Sequence, residues 1–299
     1  MSETIFLDGD YVPAGDARIP VDDRGVLFGD GVFETVRSYD GKPFRLHRHL
    51  DRMAGACQTL RLKRPYAERE VAEAVDTLIR KNGLESGNAR VRITVTGGPS
   101  AGAKTLERSG TARMFILARP YEPPPDDFYR EGISLVISEI RRNATSPLST
   151  VKSSNFLDSL IARQNAADQG ADDAILLSPN GNLSEATTSN LFMVSGKSVL
   201  TPEAACGLLP GVTREAIIEL CADLEIPCAL ITAGPEDLLS ADEVFLTNSM
   251  VEVLPVREVA GRPFGICPGP VTRKLITAYR NLIARETATQ GGGSEALNS

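Results

Sequence analysis

A lysine in the run STVKSSNF, Lys152, has surroundings that amine chemistry needs. Apolar Val151 and small Ser153 and Ser154 flank it, and a helix is expected to begin just after it, with Asn155 as N-cap. A lysine held among small and apolar groups has a depressed pKa, the condition for a Schiff-base amine. Taken alone, the same residue also reads as a solvated lysine ahead of a helix. Glu185, in GNLSEATTSNLF, lies between a turn and a strand. It is either a strand-end surface acid or a carboxylate that keeps a pyridine-type nitrogen protonated, which turns a ring into an electron sink. In LLPGVTREAII, Gly211, Val212 and Thr213 open an amphipathic helix. Unpaired amides and a hydroxyl there suit a phosphate, although an ordinary capped helix begins in the same way. Thr247 and Ser249, in LTNSMVEVLPV, are placed to complete such a phosphate cup.

Other chemistries fit less well. The only histidines are His47 and His49, in RLHRHLDRM, so a two-histidine metal site or a Ser-His-Asp triad is disfavoured and no metal is expected. Five cysteines without a CxxC pair form neither a disulfide framework nor a zinc ribbon. A net charge of −7 argues against a nucleic-acid partner and for small molecules. No signal-like leader precedes the first elements and no run of apolar residues is long enough to span a bilayer, so a cytoplasmic protein without membrane association is expected.

The elements that must position these residues follow an α/β pattern. A strand near Thr4–Leu7 is followed by FETVRSY and KPFRL around Asp40-Gly41, a hairpin signal, and by a helix from about His47 with Leu50, Met53, Ala54, Cys57 and Leu60 on one face. A helix over 68–82 stops at Gly83, and strands at 89–96 and 113–117 complete a small α/β unit. In the first of these strands, Arg90 and Arg92 share a face by period-two alternation. The proline-rich RPYEPPPDD reads as a linker. Beyond it are expected strands at 134–138, 174–177, 191–194, 244–246 and 251–255, and helices at 155–168, 212–224 and 271–284. The expected division is a small domain over 1–119, a linker over 120–131, a large domain over 132–286, and a Gly- and Ser-rich disordered tail over 287–299.

Six segments in order, DDRGVLFGDGVFETVR, HLDRM, VKSSNFLDSLIARQNA, GNLSEATTSNLF, LPGVTREAI and TNSMVEVLPV, resemble the class IV aminotransferases, and the likeness runs from about residue 5 to 285. The resemblance implies a two-domain fold-type IV enzyme of α/β class, with α+β character in its small domain. It also implies pyridoxal 5'-phosphate as cofactor and a homodimer acting on an amino donor and a keto-acid acceptor. It places Lys152 as the Schiff-base lysine and Glu185 on the pyridine nitrogen. Arg52, Gly211, Val212, Thr213, Ser249 and Met250 fall to the remaining cofactor contacts, with Arg52 on the phosphate.

Substrate choice within this family depends on the residues that bind the carboxylate. The resemblance assigns the substrate to Phe28, Phe33, Arg37, Arg90, Met250 and Val251. Arg90 in IRKNGLESGNAR favours a branched-chain L-amino acid donor with 2-oxoglutarate as acceptor. Phe28 and Asn88 stand where that subgroup has tyrosines, and Phe156 where a tyrosine supports the cofactor oxygen. NARVRI and LLSADEVFLTNSMVEVLPV resemble 4-amino-4-deoxychorismate lyases. A D-amino acid or (R)-amine aminotransferase is a further alternative, though TGGPSAGAKTLER lacks the arginine and histidine of the D-amino-acid type.

Overall fold

The computed structural model describes residues 3–100, 102, 105–108 and 110–288. Of the tail expected from residue 287, Thr287 and Ala288 complete the last helix and the rest lies outside the described residues. The chain divides into two units. The first holds residues up to Pro123, Lys152–Ser154 and the chain from Asn281; the second holds Pro124–Val151 and Asn155–Arg280.

In the first unit the elements are β1 (Thr4–Leu7), β2 (Asp10–Pro13), α1 (Arg24–Phe28), β3 (Gly31–Tyr39), β4 (Lys42–Pro43), α2 (Leu46–Thr59), α3 (Glu68–Lys81), β5 (Asn88–Thr96) and β6 (Arg113–Pro120). The strands form one antiparallel sheet in the order β2-β1-β6-β5-β3-β4. Its hairpin turns on Asp40 and Gly41, at φ 46° and 78°, the left-handed pair expected from the Asp-Gly signal. Along β5, Val91, Ile93 and Val95 are wholly buried, which leaves Arg90 and Arg92 on the opposite face as alternation requires. The apolar face of the sheet is covered by α2 and α3. The buried stripe of α2 is Leu50, Met53, Ala56 and Cys57, so Ala56 takes the core position expected of Ala54. Each fully buried branched side chain here contributes roughly 1.5–3 kcal/mol relative to exposure.

The second unit contains α4 (Asp126–Glu131), β7 (Ile133–Arg141), α5 (Leu157–Asp168), β8 (Asp173–Leu177), β9 (Leu183–Ala186), β10 (Asn190–Ser195), β11 (Ser198–Pro202), α6 (Val212–Asp223), β12 (Cys228–Ile231), α7 (Pro235–Leu239), β13 (Glu243–Asn248), β14 (Glu252–Val259), β15 (Arg262–Pro263) and α8 (Pro270–Ala288), the last running on into residues of the first unit. The strands lie in the order β12-β11-β10-β13-β14-β7-β8-β9, with β15 on β14. Because β9 pairs with β10 as well as β8, six of these strands close into a ring. Leu135, Ile175, Leu183, Leu191, Leu246 and Val256 belong to its buried core. Helix α5 starts at Leu157 with Phe156 at the N-cap and no side-chain cap, not with Asn155 as expected; the chain bends at Ser154 after the Ser153 bridge. No described helix is long and apolar enough to cross a membrane.

Candidate active site

Lys152 is held by backbone pairing along the N-terminal half of β3. The Phe33 amide donates to the Lys152 carbonyl at 2.9 Å, Ser154 N donates to the Gly31 carbonyl at 2.9 Å, and Val32 faces Ser153 in an antiparallel bridge. An isolated bridge and two flanking backbone hydrogen bonds thus fix where the lysine leaves the backbone. Gly31 is required for this approach, since a Cβ there would lie 2.8 Å from the Val95 carbonyl oxygen and 3.1 Å from Ser154 Oγ. The Lys152 Nζ stands 4.6 Å from the centre of the Phe33 ring. The guanidinium carbon of Arg92 lies 3.8 Å from the same centre. Both distances are within the range of a cation over an aromatic face.

Glu34, next along β3, points to the opposite, core side and is fully buried. Its carboxylate accepts from Arg52 Nε at 2.8 Å and from a terminal Arg52 nitrogen at 2.6 Å, a bidentate pair, while His49 Nδ1 lies 2.7 Å from Oε2. Burial alone would raise the Glu34 pKa; the Arg52 charge and the His49 and Arg52 hydrogen bonds override it and hold the carboxyl at about 2. Burial also pushes the His49 imidazole below its ordinary value, against the opposing pull of Glu34. The ring is therefore neutral near pH 7, with Nδ1–H donating to the carboxylate. The plane of the Arg52 guanidinium is set by Glu34.

The other assigned residues of this unit are spread along the open face of β3 and β5, where Arg37 lies opposite Arg90 and Thr35 opposite Arg92. Arg37 is buried; its Nε and one terminal nitrogen donate to Asn88 Oδ1 at 3.1 and 2.9 Å, and the rings of Tyr39 and Tyr121 lie 4.6 and 5.2 Å away. Arg90 is exposed. Phe28, the last residue of α1, is half-exposed, with the Arg24 guanidinium 5.2 Å from its ring centre.

In the second unit Glu185 sits in β9, opposite Leu176 on β8 and Asn190 on β10. It is buried; the Leu209 amide at 3.0 Å and Asn190 Nδ2 at 3.3 Å donate to Oε2, and Arg142 Nε lies 3.1 Å from Oε1 as an ion-pair partner. Asn190 Nδ2 also donates to the Leu209 carbonyl at 2.8 Å. Arg142 is itself anchored on the carbonyls of Gly207 and Ser149, at 3.1 and 2.8 Å.

Beside Leu209, helix α6 begins with Gly211 as N-cap, which supplies no side-chain cap to the first amides. A Cβ on Gly211 would lie 2.0 Å from Asn190 Oδ1, so the cradle is closed to any side chain. Val212 and Thr213 are buried behind it, and the Thr213 hydroxyl lies 3.4 Å from that of Tyr279. On β13, directly opposite Asn190, the buried Thr247 hydroxyl has no hydrogen-bond partner among the described residues. Ser249, Met250 and Val251 lie in the turn after β13, where Asn248 Oδ1 accepts the amides of Met250 and Val251 at 2.7 and 2.8 Å. An uncapped helix N-terminus, an orphaned buried hydroxyl and a fixed carboxylate are the donor and acceptor set that a phosphorylated pyridine requires.

Sequence reasoning passed over Glu34, His49 as its partner, Arg142 and Asn190. Glu34 carried a signal, since alternation along FETVRSY sets it on the side of Val32 and Val36. Arg142, after Arg141 at the end of a strand, carried none.

Residues 31–259 match the family model described as amino-transferase class IV. The chain is 33% identical over 295 residues to the branched-chain-amino-acid aminotransferase of Pseudomonas aeruginosa, covering 95% of this chain and 94% of that protein. It is 31% identical over 288 residues to the aminodeoxychorismate lyase of Bacillus subtilis, covering 96% and 97%. Among solved structures, the T.th. branched-chain amino acid aminotransferase with pyridoxamine 5'-phosphate superposes with a TM-score of 0.87 at 29% identity, covering 97% of each chain.

Proposed function

Since the chain belongs to the class IV aminotransferases, enzymes that use pyridoxal 5'-phosphate, we propose that it transfers the amino group of a branched-chain L-amino acid to 2-oxoglutarate, as a cytoplasmic homodimer. The observation that carries this reading is Lys152, pinned by its backbone to β3 with its amine over the apolar face of Phe33. When bound, the cofactor supplies an aldehyde for amine exchange and a pyridinium ring that delocalises the electrons of a carbanion. Lys152 Nζ would hold the aldehyde covalently and, once the donor amine has taken its place, accept the proton from the donor α-carbon. Glu185 would hold the proton on the ring nitrogen, its own position set by Arg142, Asn190 and the Leu209 amide. Arg52, the amides of Val212 and Thr213, and the hydroxyls of Thr213, Thr247 and Ser249 would hold the phosphate.

The branched-chain donor is supported by the Pseudomonas aeruginosa relative and by the apolar Phe33 ring beside the lysine. Leu157, Leu160 and Ile161, at helical spacing and exposed on α5, offer an apolar stripe for a second copy of the chain, which supports the dimer. Five cysteines without a disulfide suit a reducing compartment. A second reading, 4-amino-4-deoxychorismate lyase, is favoured by 31% identity along nearly the whole Bacillus subtilis enzyme.

The deciding experiment presents the holoenzyme with L-leucine, L-glutamate, D-alanine, D-glutamate, (R)-1-phenylethylamine and aminodeoxychorismate while following the cofactor spectrum. L-Leucine and L-glutamate are expected to convert the visible band fastest. Turnover confined to aminodeoxychorismate, or faster conversion by the D-amino acids, overturns the branched-chain assignment.

A further inference from the structure

Three arginines share the open face of β3 and β5, and their circumstances differ. Arg37 already has Asn88 and two tyrosine rings as partners. Arg90 is exposed to solvent. Arg92 is half-buried, and among the described residues no carboxylate, carbonyl or hydroxyl accepts from its guanidinium, which lies instead over the Phe33 ring. A half-buried guanidinium that only water and an aromatic face serve keeps its N–H donors available, and a ligand that brings a planar pair of oxygens would match them. Burial, with Arg90 as a like charge nearby, also pushes the Arg92 pKa below its ordinary value, which an anion would relieve. The ring under Arg92 is the one under Lys152, at 3.8 and 4.6 Å from its centre, so the two cations stand within about 8 Å of each other. An amino acid that takes the place of the lysine amine carries its α-carboxylate carbon roughly 2.5 Å from the nitrogen, and the distal carboxylate of a five-carbon dicarboxylate roughly 5 Å away. Either group falls within reach of a guanidinium at that separation.

We propose that Arg92 is the carboxylate-binding, specificity-determining residue of the reaction, receiving a carboxylate of the donor or acceptor over Phe33. This rests on the reading that an amino acid exchanges with Lys152, and it moves the substrate's ionic anchor two residues along β5 from Arg90. Phe33 gives the site a dry floor, and the planar fork of arginine matches a carboxylate in two parallel hydrogen bonds.

The test uses the holoenzyme and two acids that cannot react, 4-methylvalerate with one carboxylate and glutarate with two, titrated by calorimetry against wild type, Arg92→Met, Arg92→Lys and Arg90→Ala. Loss of a charge-assisted contact predicts binding weakened about 10- to 100-fold in Arg92→Met, with partial recovery in Arg92→Lys. Weakening of both acids assigns the α-carboxylate and weakening of glutarate alone the distal one; each supports the role. Unchanged binding of both acids in Arg92→Met overturns it, as does an equal or larger loss in Arg90→Ala. If the Met variant does not fold, protection of Arg92 from phenylglyoxal by glutarate in wild type, read by peptide mapping, decides the matter; absence of protection refutes the assignment. Donor turnover is recorded separately, so an enzyme that binds both acids through Arg92 yet does not transaminate L-leucine refutes the branched-chain reading and leaves Arg92 standing.

Discussion

Replacing Glu34 by Gln should destabilise the small unit and loosen the cofactor, although Glu34 itself is not assigned to the cofactor. Its carboxyl is held at about 2 against an ordinary 4.5. At about 1.4 kcal/mol per pKa unit, the ionised form contributes about 3 kcal/mol at pH 7. Removing one partner of a buried ion pair likewise costs about 3–5 kcal/mol when the other charge is left behind. Here Arg52 loses its bidentate acceptor, its side chain only 13% exposed, and His49 loses the acceptor for Nδ1–H. The sign with pH follows from the depressed folded-state value: the contribution is complete above pH 4.5 and is lost as pH falls toward 2. His49 acts in the same direction, since its lowered pKa lets the unfolded chain take up a proton first as pH falls below 6.5. The assay is urea unfolding of holoenzyme at pH 7 and at several points below 5, with cofactor affinity measured alongside. At pH 7 the variant should lose about 3 kcal/mol and bind the cofactor more weakly, and the gap to wild type should narrow on acidification. A variant within about 0.5 kcal/mol of wild type at pH 7 would falsify the account of Glu34 as a buried counter-charge.

Lys152→Ala should abolish turnover and the lysine-linked visible band while the protein still folds; transamination near the wild-type rate sinks the assignment. Glu185→Gln should retain bound cofactor and lose most of its rate, because a neutral amide cannot hold the ring proton; an unchanged kcat shows that Glu185 has another role. Gly211→Ala places a methyl group 2.0 Å from Asn190 Oδ1 at a φ of −78° that alanine tolerates, so any effect is steric. It should reduce cofactor affinity by about tenfold, and equal affinity by equilibrium dialysis refutes the closed cradle.

The candidate site residues are legible only through short runs that carry the family resemblance, VKSSNF around Lys152, GNLSEATTSNLF around Glu185 and LPGVT at a helix start, since each residue taken alone reads equally well as an ordinary surface or capping residue. Period-two alternation also put Arg90 and Arg92 on one face. What escaped was set by pairing between distant strands. β9 is four residues with every side chain buried, so it has no alternation to mark it, and β11 and β12 are short strands whose parallel pairing joins distant segments. The stretch Lys152–Ser154 reads locally as a helix entry, yet it is bridged to a strand over a hundred residues earlier. Arg142 and Asn190 acquire meaning only when the strands bring them to Glu185.

The closure of the second sheet through β9 bears on how such an enzyme can change its diet. A one-residue slip would turn Glu185 away and present Ser184 or Ala186 in its place, but β9 is laddered on both sides and cannot slide without breaking two strand pairings at once. The acid proposed to serve the ring nitrogen is therefore insulated from drift, while Phe33, Arg37, Arg90 and Arg92 project from a different sheet, on one face of β3 and β5 where one side chain can be exchanged without disturbing register. Laboratory evolution of donor preference should accordingly accumulate changes on that face and leave the four residues of β9 as they are.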